Sequence, residues 1–203
     1  MIRLLLLLGC LWFCAAANAA PAILVLGDSL SAEYGIPRNS GWVSLLQRRL
    51  EQRNSDYSLI NASQSGETTD GGRARIASLL AQHRPAIVIL ELGGNDGLRG
   101  LPLTATRENL AAIIQSCRNH QARVLLIGMK MPPNYGVAYT RQFEENYREL
   151  ASRYKIPLLP FLLEGLGEKR EWFQADGLHP IATAQPAVLE NVWKKLKPML
   201  NDK

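Results

Sequence analysis

Apolar residues along this chain fall into two alternating patterns. Short, nearly continuous Val/Ile/Leu runs at residues 23–26, 57–61, 86–92, 124–128 and 158–160 read as strands, because a strand covered on both faces needs apolar side chains at successive positions. Between them apolar residues recur at helical spacing: Trp42, Leu45, Leu46 and Leu50; Ile76, Leu79 and Leu80; Leu110, Ile113, Ile114 and Cys117; residues 139–154; and Val188, Val192, Leu196 and Leu200. Each set leaves one apolar stripe to bury. Strand–helix alternation of this kind predicts a parallel sheet of about five strands with helices on both faces. No Pro/Gly/Ser-rich linker interrupts it, so one domain is expected.

The start of the chain follows neither pattern. Arg3 precedes an uncharged run over residues 4–17, closed by Ala17-Asn18-Ala19 and then Ala20-Pro21. Charged n-region, apolar h-region and small-residue cleavage site together predict a secretory signal peptide, residues 1–19, removed after Ala19. A transmembrane anchor is one alternative, but the run is shorter than the roughly 20 residues that span a bilayer; Leu7-Leu8-Gly9-Cys10 also resembles a lipoprotein cleavage box, but it would leave only five leucines as h-region. Residues 20–203 are then the mature domain, and its location is periplasmic or secreted. Cleavage removes Cys10 and Cys14, which leaves Cys117 as the only thiol and no intrachain disulfide. Its place on an apolar helix face predicts a core cysteine rather than a nucleophile.

Composition narrows the classes further. The net charge of +5 on 203 residues is modest, and Arg48-Arg49 and Lys194-Lys195 lie on helical patterns, where solvated charge is the default and nucleic-acid binding wants a denser basic patch, so nucleic-acid binding is not expected. At most a peripheral contact with a membrane surface is expected, and the chain is read as a monomer.

In a doubly wound sheet, ligands bind in the crevice beyond the carboxyl ends of the strands. The segments placed there are Gly27-Asp28-Ser29-Leu30-Ser31, the stretch from Ala62 to Thr68, Gly93-Gly94-Asn95-Asp96-Gly97, and Met129-Lys130-Met131-Pro132-Pro133-Asn134. Neither G-x-G-x-x-G after Leu26 nor G-x-x-x-x-G-K-[ST] anywhere is present, so a nucleotide is not expected. Ser29 is a candidate nucleophile that needs a base within hydrogen-bond reach. Of the three histidines, His83 and His120 fall at the ends of helical patterns, where an imidazole caps carbonyls. His179 lies outside any periodic segment, in Ala175-Asp176-Gly177-Leu178-His179-Pro180. Asp176, three residues ahead, is placed to hold its Nδ1–H and fix the tautomer that accepts a serine proton. A bare D-x-x-H is equally a surface turn, and as a zinc site it lacks a third ligand; no metal and no cofactor are expected. Gly66 offers an unobstructed backbone N–H and Asn95 a side-chain amide to a developing oxyanion, although Ser65-Gly66 and Asn95-Asp96-Gly97 are also ordinary turn sequences.

Gly27-Asp28-Ser29-Leu30-Ser31, Gly66 within Asn61-Ala-Ser-Gln-Ser-Gly66, Gly93-Gly94-Asn95-Asp96, and Asp176-Gly-Leu-His179-Pro180 resemble, in order and spacing, the four blocks of the SGNH (GDSL) hydrolase family. The segments from Glu91 to Gly100 and from Pro157 to Phe161 resemble its small periplasmic multifunctional acyl hydrolases. The resemblance covers essentially the whole mature chain. It implies a flavodoxin-like three-layer α/β/α sandwich, with Ser29 as nucleophile, His179 as base and Asp176 as its orienter. It also implies an oxyanion hole from the Ser29 N–H, the Gly66 N–H and the Asn95 amide. The G-x-S-x-G elbow of other hydrolases is absent, since Ser31 stands at the second glycine's place. Glu33 departs from the family's first block, which usually continues with a small residue there; its carboxylate either sits near the site entrance, where it would disfavour anionic substrates, or points to solvent, and solvent is the expectation.

The expected substrate follows from the loops. Residues 97–102, with Gly97 and Gly100 as hinges and Leu98 and Leu101 as apolar tips, suit a lid over a greasy ligand. Met131, Pro132, Pro133 and Tyr135 are expected to line the same crevice. In the family resembled, the corresponding segments cover an acyl chain, so the resemblance implies a serine acyl hydrolase acting on small-molecule fatty acyl esters, thioesters or lysophospholipids. A carbohydrate acetyl esterase is the alternative within the enzyme class, and an inactive lipid- or glycan-binding envelope protein the alternative outside it.

Overall fold

The computed structural model describes residues 20–167 and 169–200; the predicted signal peptide lies outside them. Five strands form one parallel sheet: β1 (Ala22–Gly27), β2 (Ser58–Asn61), β3 (Ile87–Glu91), β4 (Arg123–Ile127) and β5 (Leu158–Leu159), in the order β2-β1-β3-β4-β5. The helices are α1 (Trp42–Gln52), α2 (Thr69–His83), α3 (Gly94–Leu98), α4 (Leu103–Asn119), α5 (Val137–Tyr154) and α6 (Gln185–Leu196). α1 packs with α6, and α4 with both α2 and α5, which makes the two outer layers of an α/β/α sandwich. The continuous apolar runs have the expected cause: every residue of β1 and β3 is buried. β2, at the sheet edge, is exposed at Ser58 and Asn61.

The predicted helices appear with small changes at their ends. α2 starts where the Thr68 hydroxyl accepts the Gly71 N–H, and it stops at Arg84, left-handed at φ 43° just before Pro85. The last helix does not run to Leu200. It ends at Leu196 and tightens into a 3-10 turn over Lys197–Met199, because Pro198 has no N–H to continue the ladder. Cys117 is wholly buried, and burial pushes its thiol up to about 12. His120 caps α4 through its ring Nδ1, 2.9 Å from the Ser116 carbonyl, while His83 is the final residue of α2. No helix among the described residues is long and apolar enough to cross a membrane.

The element the sequence pattern does not predict is α3. Five residues that include two glycines have little helical propensity of their own, and tertiary contacts hold them. The Tyr147 hydroxyl donates to the Leu92 carbonyl at 2.9 Å, the Tyr139 hydroxyl to Gly97 at 3.0 Å, and Asp96 accepts the Thr69 N–H at 2.9 Å. Gly93, at φ 114°, is required just before it: a Cβ there would lie 2.2 Å from the Tyr147 oxygen.

Candidate active site

The order of strands reverses between β1 and β3, and the crevice opens at this switch point. Ser29 follows β1 and Asn95 follows β3. The turn after β1 is held from two sides. The Leu30 N–H donates to Asp28 Oδ1 at 3.0 Å. Glu91, paired with Gly27 across the β1–β3 ladder, reaches over that glycine, and its Oε2 accepts the Asp28 N–H at 3.3 Å and the Ser31 hydroxyl at 2.6 Å. Position 27 must therefore lack a side chain, since a Cβ would meet Glu91 Oε2 at 2.6 Å and Ser31 Oγ at 2.8 Å.

Ser29 Oγ lies 2.8 Å from His179 Nε2, and His179 Nδ1 lies 2.7 Å from Asp176 Oδ2. Asp176 Oδ1 also accepts the backbone N–H groups of Leu178 (2.9 Å) and His179 (3.1 Å), so the carboxylate is fixed relative to the ring it orients. Partial burial would raise the Asp176 carboxyl, but these N–H donors and the imidazole outweigh it and hold it below the usual range.

The loop that carries both residues is braced from outside. Gln174 N–H donates to the His179 carbonyl at 2.8 Å, and the Ile181 N–H to Trp172 at 2.9 Å. The Arg170 guanidinium spans three successive carbonyls, Phe173 (3.1 Å), Gln174 (2.8 Å) and Ala175 (2.9 Å), immediately before Asp176. Nothing in the sequence pattern singles out Arg170. Its role depends on a loop that folds back on it.

The Asn95 amide donates to the Glu67 carbonyl at 3.0 Å and to Asp28 Oδ2 at 3.2 Å. The segment carrying Gly66 is drawn to the same edge by the Gln64 N–H on the Gly27 carbonyl and by the Arg99 guanidinium on the Gly66 carbonyl, both at 3.0 Å. Gly66 has φ 80°, and its N–H makes no hydrogen bond among the described residues. It does not line the main cleft, unlike Ser29, Asn95 and His179.

Two buried acids lie beneath Ser29. Burial pushes Asp28 up to about 6, only partly offset by the Leu30 N–H, the His179 imidazole and the Asn95 amide. Glu91 is pushed well above the usual range by complete burial and then by the Asp28 charge. Its Oε1 has no hydrogen-bond partner among the described residues, as suits a neutral acid better than a carboxylate.

The cleft has a volume of about 330 Å³ and is walled mainly by apolar groups. Of the expected substrate contacts, Leu98, Met131 and Pro132 line it. Leu101 does not: Gly100, at φ 66°, turns the chain away, and Leu101 is tied to the Asp96 carbonyl at 2.9 Å and exposed to solvent. Pro133 and Tyr135 do not line it either. The Tyr135 hydroxyl instead donates to the Leu98 carbonyl at 2.9 Å. Gly97 is not a hinge but a buried helical residue, where a Cβ would lie 2.4 Å from the Met131 sulfur, so residues 97–98 are pinned rather than free to lift. The wall is completed by Phe161, Leu163, Phe173 and Leu178, which follow β5 or precede His179 and carry no periodic signal. Among the described residues no three His, Cys, Asp or Glu side chains converge as metal ligands would.

Glu33 corrects the sequence-based expectation. Its carboxylate turns inward, accepting the N–H of Asn39 (2.9 Å) and Gly41 (2.8 Å) and the Ser44 hydroxyl (2.7 Å). Three donors, two from the loop that follows and one from the first turn of α1, satisfy the carboxylate better than its sequence neighbours alone suggest.

Residues 25–185 match the model of the GDSL-like lipase/acylhydrolase family. The chain belongs to that family. It is 49% identical over 201 residues to esterase TesA of Pseudomonas aeruginosa, covering 98% of this chain and all of that one. It is 42% identical over 185 residues to thioesterase 1/protease 1/lysophospholipase L1 of Escherichia coli, covering 91% and 88% of the two chains. The crystal structure of the psychrotrophic esterase EstA from Pseudoalteromonas, inhibited by monoethylphosphonate, superimposes with a TM-score of 0.85 at 39% identity, covering 89% of this chain and 99% of that one.

Proposed function

We propose that this chain is a serine hydrolase of fatty acyl esters and thioesters. Ser29 Oγ attacks the acyl carbonyl while its proton passes to His179 Nε2, and Asp176 stabilises the imidazolium that forms. The carbonyl oxygen becomes an oxyanion received by the N–H groups of Ser29 and Gly66 and by the Asn95 amide. For the amide to turn to the oxyanion, its longer bond, to Asp28, is the one released. On collapse the proton on His179 goes to the departing alcohol or thiol, leaving an acyl group on Ser29 Oγ. Water, deprotonated by the same histidine, then releases the acid. The acyl chain lies in the cleft between Leu98, Met131 and Pro132 on one side and Phe161, Phe173 and Leu178 on the other.

The observation that carries this reading is the unbroken Asp176–His179–Ser29 relay, at 2.7 and 2.8 Å, at the mouth of an apolar cleft. The relatives named esterase and thioesterase support the acyl hydrolase class. The test is labelling with a fluorophosphonate followed by peptide mass spectrometry. Ser29 is expected to carry the label, and Ser29→Ala to lose both label and turnover; an unlabelled Ser29 in folded, hydrolysing protein would overturn the assignment. Export to the periplasm after cleavage at Ala19 belongs to the same reading and rests on residues 1–19 alone. A monomeric state and, at most, peripheral contact with lipid are part of the same proposal.

A further inference from the structure

Ser29 and His179 border two recesses, of which the apolar cleft is one. The other is a small dent of about 10 Å³, bordered by Leu30, Tyr34, Ile36 and Pro180. Tyr34 forms its outer wall. The Tyr34 ring centroid lies 4.7 Å from that of His179, with the planes inclined at 46°. The residue is 51% exposed, and its hydroxyl has no hydrogen-bond partner among the described residues.

An exposed aromatic ring is ordinarily free to swing, but this one sits on a fixed backbone. Glu33, at φ 60°, begins a tight loop and closes it with the three hydrogen bonds to Asn39, Gly41 and Ser44. The Tyr34 carbonyl accepts the Gln174 side-chain amide at 2.9 Å, and Gln174 is the residue whose N–H holds the His179 carbonyl. Gly35, at φ 69°, lets the two loops approach, since a Cβ there would overlap the Gln174 amide at 2.1 Å. Tyr34 and His179 are therefore latched to one frame.

Proton transfer decides what passes in front of that ring. When the tetrahedral adduct collapses, the bond from carbon to the leaving oxygen or sulfur breaks, and that atom takes the proton from His179 Nε2. It must lie within hydrogen-bond reach of Nε2, so the leaving group continues alongside the imidazole. With the acyl chain in the apolar cleft, the side left to it is the one walled by Tyr34. We propose that Tyr34 determines leaving-group specificity, presenting its exposed ring to aromatic alcohols and thiols. This rests on the acyl-hydrolase reading of Ser29 and His179. An aromatic pair in contact gains beyond the area it covers, by an amount that corresponds to about 3- to 10-fold in rate.

The test uses two octanoate esters, of benzyl alcohol and of cyclohexylmethanol, which share the acyl chain, are close in size and leaving-group acidity, and differ chiefly in the π face; their ratio in alkaline hydrolysis without enzyme sets the baseline of one. Both give the same acyl-enzyme, so the ratio of their kcat/KM values reports acylation alone. The wild type is expected to favour the benzyl ester by about 3- to 10-fold, Tyr34→Phe to keep that ratio, and Tyr34→Leu to bring it to about one. A second measurement needs no variant at Tyr34: the wild-type acyl-enzyme, offered both alcohols as acceptors, is expected to transfer preferentially to benzyl alcohol. An unchanged ratio in Tyr34→Leu, or equal transfer to the two acceptors, overturns the inference while Ser29-dependent hydrolysis persists. Hydrolysis that survives Ser29→Ala overturns the underlying reading instead.

Discussion

Replacing Asp28 by asparagine removes a charge from a place where the fold pays to keep it. Asp28 is 3% exposed, and burial lifts its carboxyl from 3.8 to about 6. The folded chain therefore holds a proton more tightly than the unfolded chain does. Stability falls as pH rises through that window and levels off above it. At about 1.4 kcal/mol per pH unit, the whole window amounts to about 3 kcal/mol, of which about 2 kcal/mol is lost between pH 4 and pH 7. The substituted amide keeps an oxygen for the Leu30 N–H and gives up the carboxylate oxygen that faces the Asn95 amide. That loss is the same at both pH values and cancels in the comparison. Glu91 adds with the same sign, because without the Asp28 charge it is pushed up less. Urea unfolding of the wild type and Asp28→Asn at pH 4 and pH 7 should show the difference between them move by about 2 kcal/mol in favour of the variant at the higher pH. A difference independent of pH would refute the reasoning, since no proton would then be taken up by the buried aspartate.

Three further outcomes follow from the site. Asn95→Ala should lower kcat by about 10²–10³ with KM little changed, as loss of one oxyanion donor does; initial rates on a p-nitrophenyl ester series check it. Arg170→Ala releases the three carbonyls that precede Asp176 and should lower kcat by about 10- to 100-fold through misalignment, with partial recovery in added guanidinium. At about 30 Å³ for each water-sized group, the 330 Å³ cleft accommodates roughly ten carbons. Rates on straight-chain esters should therefore rise to about that length and then level off, and a strict acetyl preference would refute the placement of the acyl chain.

What the sequence alone determined is the frame. Continuous apolar runs require strands covered on both faces, helical stripes require a layer on each side, and parallel connections bring the four polar segments to one edge. These are local patterns read over a few residues. Ser29, Asp176 and His179 were legible for the same reason, because each stands just past a strand or outside any periodic stretch, and the resemblance to a family supplied their company. Tertiary structure decided what holds them. Glu91 acts across 60 residues on Ser31, Gln174 across 140 on Tyr34, and Arg170 on carbonyls whose direction depends on how its loop closes. The helical state of Gly94–Leu98 and the inward turn of Glu33 were settled in the same way. A carboxylate, a guanidinium or a tyrosine has the same local signature whether it faces water or protein partners, and only the folded chain brings those partners within about 3 Å.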